Sequence, residues 1–144
     1  MARVSVTKTI NAPASAVWAM VSEWGGTHKW VPGVGPVSVD GDGVGSIRSA
    51  DLDAATGFPG RITERLEAFD DTAMHFRYCV VGDSPIPITD YVAEMKVVEL
   101  DGGSSEVTWS SSWIASGEVG EDELVAAFEG LYGLSLDNVA SALA

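Results

Sequence analysis

The chain has 144 residues, with 21 acidic against 8 basic side chains and a formal charge of −13. So acidic a surface repels nucleic acid and anionic membranes, the length suits one domain over residues 1–144 that buries about 70% of its unfolded surface, and no apolar run is long enough for membrane insertion. The single Cys79 rules out an internal disulfide and a cysteine-based zinc site, and the Met-Ala-Arg start lacks the apolar core of a secretory signal, so a cytoplasmic location is expected.

Val4, Val6 and Ile10 alternate with Ser5, Thr7 and Thr9, which predicts a strand with one buried face. Lys8 shares the buried parity and is expected at a strand end, its ammonium snorkelling to water. Asn11-Ala-Pro-Ala-Ser is a turn into a helix whose apolar side is Val17, Trp18, Met20 and Val21, ending near Gly25 and Gly26. A second helical turn holds His28, Lys29 and Trp30 before Pro32 stops it. Trp24 and Trp30 flank the break and either fill the core, the simpler reading, or line a cavity mouth.

Residues 37–40, the Gly41-Asp-Gly43 turn and residues 45–52 read as a hairpin, with Arg48 on the return strand and its facing open. No phosphate-loop lysine or GxGxxG pattern accompanies these glycines. Residues 54–60 form a loop with glycine joints and an apolar tip, Phe58-Pro59, which suits a lid; the plainer reading is a strand connection. In the strand from Arg61 to Phe69, Ile62, Glu64, Leu66 and Ala68 share one face, while Arg61, Thr63, Arg65 and Glu67 share the solvent face. Glu64 therefore sits among inward apolar residues, where a carboxylate is costly unless paired or hydrated. A twist or bulge that lets it reach water is the alternative.

After the Asp70-Asp71 turn, Met74, Phe76, Tyr78 and Val80 alternate with outward His75, Arg77 and Cys79. Residues 82–89 make a second loop with an apolar centre, Ile86-Pro87-Ile88. Tyr91, Ala93, Met95 and Val97 share a face of the next strand, and Asp101-Gly-Gly-Ser turns into the last. There Val107, Trp109, Ser111 and Trp113 share a face, and the two indoles either fill space or line it. From Gly120 to Ala144 the pattern is an amphipathic helix: Leu124, Phe128, Leu131, Tyr132, Ser135, Val139 and Leu143 recur at steps of three and four. Glu121, Asp122 and Glu123 crowd its first turn, at the positive end of the helix dipole.

Many strands with one long terminal helix have an economical packing, in which the sheet curls around the helix. The expected fold is α+β: a curved antiparallel sheet of six to seven strands wrapped around a C-terminal helix, with two short helices after the first strand. Such a sheet tends to leave a hole against the helix.

Several stretches resemble the START-like superfamily (helix-grip fold), in its polyketide cyclase/dehydrase and lipid-transport branch. They are Ile10-Asn-Ala-Pro-Ala-Ser-Ala-Val-Trp18, Gly41 to Arg48, Glu64 to Asp71, Tyr78, Pro85 to Tyr91, Val107-Thr-Trp109-Ser and the closing helix, together nearly the whole chain. Gly45 to Arg48, Thr56 to Gly60 and Glu64 to Glu67 are also similar to a strand, gate loop and following strand of the plant abscisic acid receptors. That likeness implies that Glu64 and Tyr91 face a ligand and that Phe58-Pro59 forms a gate. Pro85-Ile-Pro-Ile stands where those receptors have a His-Arg-Leu latch, and residues 30–36 lack their carboxylate-binding lysine. Abscisic acid itself is therefore not expected.

Two functions follow as expectations. One is binding of a small hydrophobic molecule, aromatic, polyketide-like or lipid-like, gated by loops 54–60 and 82–89. Its candidate contacts are Arg48, Phe58, Pro59, Glu64, Leu66 and Tyr78, then Ile86, Tyr91, Met95, Trp109, Trp113, Phe128 and Tyr132. The other is a cyclase/dehydrase-like enzyme with Glu64 and Tyr91 as catalytic candidates. Glu64 would be the general acid or base, Tyr78 or Tyr91 would hold an enolate oxygen, and Arg48 would add positive charge. A blander possibility is that the indoles plug the hole and the protein acts through its surface. No cofactor is expected, and His28 and His75 belong to no ligand-spaced cluster, so no metal is either.

Overall fold

A computed structural model describes all 144 residues. The strands are β1 (Ala2–Ile10), β2 (Ser38–Asp40), β3 (Ile47–Leu52), β4 (Gly60–Asp70), β5 (His75–Val80), β6 (Ile88–Glu99) and β7 (Ser105–Ala115). Two α-helices, α1 (Ala14–Val21) and α2 (Glu121–Ala142), are joined by single 3-10 turns at Thr27–Lys29, Ala54–Thr56 and Asp101–Gly103. The seven strands form one antiparallel sheet in the order β1-β7-β6-β5-β4-β3-β2. Each strand from β2 to β7 pairs with the next, whereas β1 pairs with β7 at the far edge. The two short helical segments occupy the crossover from β1 to β2. The architecture is the helix-grip arrangement, with seven strands. No helix is long and apolar enough to cross a membrane.

α2 buries Leu124, Phe128, Tyr132, Ser135, Leu136 and Val139 against β1 and β7. Leu136, outside the predicted stripe, is fully buried, while Leu131 is only half-buried. The helix is gripped over a face wider than a three-four stripe. Lys8 reaches past this contact to Asp137 (3.3 Å), and its side chain is partly exposed, as a snorkelling lysine should be.

Two bulges bend the sheet and change which residues look inward. In β4 the register shifts between Leu66 and Ala68. Beyond it Phe69, not Ala68, takes the inner position, packing on Trp18 (5.4 Å) and Phe76 (6.4 Å between ring centroids). Strict alternation fails here because the extra residue inverts every later side chain. In β6 the register shifts between Thr89 and Val92, and Asp90 adopts φ 53°. Ile88 and Tyr91, three apart, therefore both point inward.

α1 closes one end of the concave face. Its first turn has no cap from its own segment; instead the Ala14 N–H donates to Glu99 Oε2 of β6 at 3.1 Å. Its Trp18 indole donates to Asp71 Oδ1 at 2.6 Å, pinning the helix to the β4–β5 turn. At the other end of the crossover, Asn138 of α2 donates to the Trp30 carbonyl at 3.1 Å.

Candidate ligand site

The concave face is covered by α1 at one end and by α2 along β1 and β7. Neither covers β3 or the first half of β4, and there a cavity of about 430 Å³ remains. That volume lies within the usual range for small-molecule sites, roughly 300–1,000 Å³. Its remaining walls are the 31–37 segment and the loops before β4 and β6. Leu134 of α2 lines it while 54% exposed, so the cavity runs out to solvent along that helix. Of 29 lining residues 21 are hydrophobic, and Arg48 and Glu64 are the only charged ones. The acidity of the chain is therefore kept on its outside.

Most of the anticipated residues meet here. Arg48, Phe58, Glu64, Tyr78 and Ile86 line the cavity, as do Tyr91, Trp109, Phe128 and Tyr132. Four do not. Pro59 is exposed beside the half-buried Phe58, so the loop tip turns one side chain in and the other out. Leu66 and Met95 face inward but are packed solid; Met95 pairs with Phe76, which lies against Trp18 of α1. Trp113 is wholly buried against Phe128, 5.2 Å away. One indole thus fills space and the other lines it. Trp109 stacks on Tyr132 at 3.9 Å, with Trp30 edge-on behind it at 5.5 Å. The core reading of Trp30 holds, and the indoles do not plug the space.

The sequence reading missed Ala50 and Leu52 on the Arg48 face of β3, Ile62 on the Glu64 face of β4, and Val31, Val34 and Val37. Once Arg48 is known to face inward, period-two alternation places Ala50 and Leu52 with it. The three valines sit in a Gly/Pro-rich loop, where unexplained apolar residues were the available signal.

Arg48 and Glu64 are directly opposite in the β3–β4 pairing, both on the inner face. The Arg48 Nε donates to Glu64 Oε1 at 2.8 Å and Nη1 donates to the Trp24 carbonyl at 3.1 Å. The guanidinium also lies 3.8 Å from the Trp24 ring centroid and 4.8 Å from that of Tyr78. This pairing answers the cost of a carboxylate among apolar residues: Glu64 meets a cation rather than escaping to water. Glu64 Oε2 takes no protein donor and remains free at the cavity wall.

All three tyrosines of the chain line the cavity and are buried. Tyr132 donates to Ser111 Oγ at 2.9 Å, so the bond it shares with Tyr91 must be donated by Tyr91. The Tyr91 proton is thereby committed, and what Tyr91 offers the cavity is its oxygen. Tyr78 accepts from Trp109 Nε1 at 3.1 Å and donates to no protein atom. Of the two phenols considered for an enolate, Tyr78 is the one whose O–H is given to no protein atom. Burial pushes all three phenols above their ordinary range. The Glu64 charge adds to the rise in each, and neighbouring phenols raise Tyr91 and Tyr132 further.

Outside the cavity, Cys79 faces outward and donates to Glu67 Oε1 at 2.8 Å. Partial burial and that carboxylate push the thiol up to about 11, so it is no thiolate at neutral pH. No three His, Cys, Asp or Glu side chains are gathered where they could hold a metal ion.

The fold and the cavity can be compared with known proteins. The protein XoxI of Bacillus cereus superposes with a TM-score of 0.86 at 25% identity, over 99% of this chain and 96% of that one. A Thermobifida fusca protein solved by NMR gives 0.80 at 27% identity, over 97% and 91%. The ZhuI aromatase/cyclase of Streptomyces sp. R1128 shares the fold, with a TM-score of 0.76 at 19% identity over 99% and 90%. No curated protein matches the sequence. A family model described as polyketide cyclase/dehydrase and lipid transport matches residues 1–144. The chain therefore belongs to the polyketide cyclase/dehydrase and lipid-transport family of the START-like superfamily.

Proposed function

We propose that this protein binds a small hydrophobic molecule, aromatic, polyketide-like or lipid-like, between the sheet and α2. The observation that carries the reading is the cavity of about 430 Å³, mostly apolar, with one ion pair, three phenols and a few hydroxyls in its wall. Few, placed polar groups in an apolar wall are what orient a hydrophobic guest. The loops over 54–60 and 82–89 serve as the movable wall: Phe58 and Ile86 close the cavity, and a Cβ on Gly60 would stand only 2.9 Å from Pro85. Ala50, buried on β3 in the cavity wall, supplies the test. Wild-type protein is expected to bind neutral N-phenyl-1-naphthylamine with enhanced emission, and Ala50→Trp to lose that binding while keeping its circular dichroism. Equal binding by both proteins, or none by the wild type, would refute the reading.

A second reading, catalysis of the cyclase/dehydrase kind, is favoured by Glu64 Oε2, which has no protein donor and stands beside Arg48. The carboxylate would remove a proton alpha to a substrate carbonyl while the Tyr78 O–H steadies the enolate oxygen. The protonated Glu64 would then return its proton to a departing hydroxyl, which leaves as water. For an enzyme, Glu64→Gln abolishes turnover and leaves affinity nearly intact. For a carrier it shifts affinity by about 1–2 kcal/mol, the scale of one hydrogen bond, with no turnover to lose.

A further inference from the structure

The direction of each hydrogen bond at the phenol end of the cavity specifies what kind of polar group can be received there. Ser111 takes the Tyr132 proton and Tyr132 takes that of Tyr91. Tyr91 is left as an acceptor. Glu64 Oε2 is a second acceptor. Tyr78, already accepting from Trp109, is the one phenol with an O–H to offer. Tyr78 and Tyr91 are diagonal neighbours on the inner faces of β5 and β6, with ring centroids 6.1 Å apart. One guest atom can therefore face both.

Arg48, the only cation in the wall, already has its charge paired with Glu64. Its Nε donates to Glu64 and one Nη1 N–H to the Trp24 carbonyl, and its guanidinium is stacked against two rings, so a guest anion meets a cation whose charge is already balanced. A carboxylate brings only acceptors, so it cannot donate to Tyr91 or to Glu64 Oε2, and it would lie near the Glu64 charge. An ether or ketone satisfies Tyr78 but leaves Tyr91 unmet. A hydroxyl satisfies both, accepting from Tyr78 and donating to Tyr91. The burial and the Glu64 field that hold the three phenols neutral oppose a guest's negative charge in the same way.

Resting on the ligand-binding reading above, we infer that Tyr78 and Tyr91 are specificity residues that select a neutral hydroxyl, phenolic or alcoholic, over a carboxylate on an otherwise apolar guest. The test compares four probes of one shape by intrinsic tryptophan quenching and calorimetry: naphthalene, 2-methoxynaphthalene, 2-naphthol and 2-naphthoate. The expected order of affinity is 2-naphthol first, about 3- to 10-fold above 2-methoxynaphthalene, with 2-naphthoate the weakest. Tyr91→Phe should erase the advantage of naphthol over its methyl ether. Tyr78→Phe should erase the advantage of the methyl ether over naphthalene. The wild-type order alone tests the inference if either variant folds poorly. Equal affinity for naphthalene and naphthol, or tightest binding of naphthoate, overturns the inference and leaves ligand binding standing. Binding of none of the four overturns both.

Discussion

Arg48→Met should be among the most damaging single changes outside the apolar core. At 2.8 Å and an effective dielectric of about 20, the attraction between Arg48 and Glu64 is on the order of 6 kcal/mol. Desolvating two ions costs several kcal/mol each, so the net value of the pair is near zero. The effect of removing one partner is different. The Glu64 side chain is only 14% exposed, and without Arg48 it is a nearly buried charge with no counter-ion. Breaking buried pairs costs about 3–5 kcal/mol; the free edge of Glu64 on the cavity puts this case near 3. In a chain of this length that lowers Tm by roughly 10 °C. The double variant Arg48→Met/Glu64→Leu removes both charges. It should recover to within about 1–2 kcal/mol of wild type, the remainder being the bond lost to the Trp24 carbonyl. Urea and thermal unfolding of wild type, both single variants and the double measure the cycle. A loss below about 1 kcal/mol for Arg48→Met, the size of an exposed pair, would refute the reasoning. So would a double variant as unstable as the single.

The raised phenols make a pH prediction. Unfolded tyrosines ionise near pH 10, whereas the folded ones resist, so the stability they contribute is fully present below about pH 10 and is lost as pH climbs toward their folded values. With three such groups the loss reaches about 4 kcal/mol per pH unit. Absorbance at 295 nm should therefore show no tyrosinate until the protein unfolds, and a phenol titrating near pH 10 in folded protein would contradict this. Gly60→Ala places a Cβ 2.9 Å from Pro85 at φ +145°, and should cost about 1–3 kcal/mol in urea unfolding; a wild-type midpoint would show the two loops are not packed as described. Glu99→Ala removes the acceptor for the first turn of α1 and should cost about 0.5–2 kcal/mol, with Glu99→Gln recovering part of it; equal stability of all three proteins would dismiss the cap.

What the sequence made legible follows from period and parity. β6 alternates from Tyr91 onward and β7 alternates through its indoles, so Tyr91, Met95, Trp109 and Trp113 could be placed on the inner face. Parity does not say which inner residues are covered by a helix and which face a void. Met95 and Trp113 are sealed, while Tyr91 and Trp109 line the cavity, and that depends on where α1 and α2 end. The β4 bulge inverts Phe69 and Ala68 through one inserted residue, which no composition marks. The facing of Arg48 was unreadable because β3 has few large apolar residues to set its parity; the cross-strand partner Glu64 decides it. The contacts of Trp18 with Asp71 and of Ala14 with Glu99 join residues 53 and 85 positions apart, beyond any local pattern.

The cavity cannot be a sealed, empty defect, and magnitudes show why. A closed dry void costs about 24 cal/mol per Å³, so the 430 Å³ here would cost about 10 kcal/mol. That equals the entire folding stability of an ordinary domain, about 5–15 kcal/mol. The space persists only if water or a guest fills it, and filling requires a route from outside. α2 supplies one. Its large side chains, Leu124, Phe128, Tyr132 and Leu136, form the buried stripe, whereas Ala126, Ala127 and Gly130 line the cavity while exposed to solvent. A Cβ on Gly130 would meet nothing within 4 Å, so close packing does not call for glycine there, and glycine in a helix costs about 1 kcal/mol relative to alanine. The opening along α2 is thus part of what lets an apolar cavity of this size exist in a stable fold. Water is a poor occupant of a wall with so few polar atoms, which makes the same opening the route by which a hydrophobic guest replaces it.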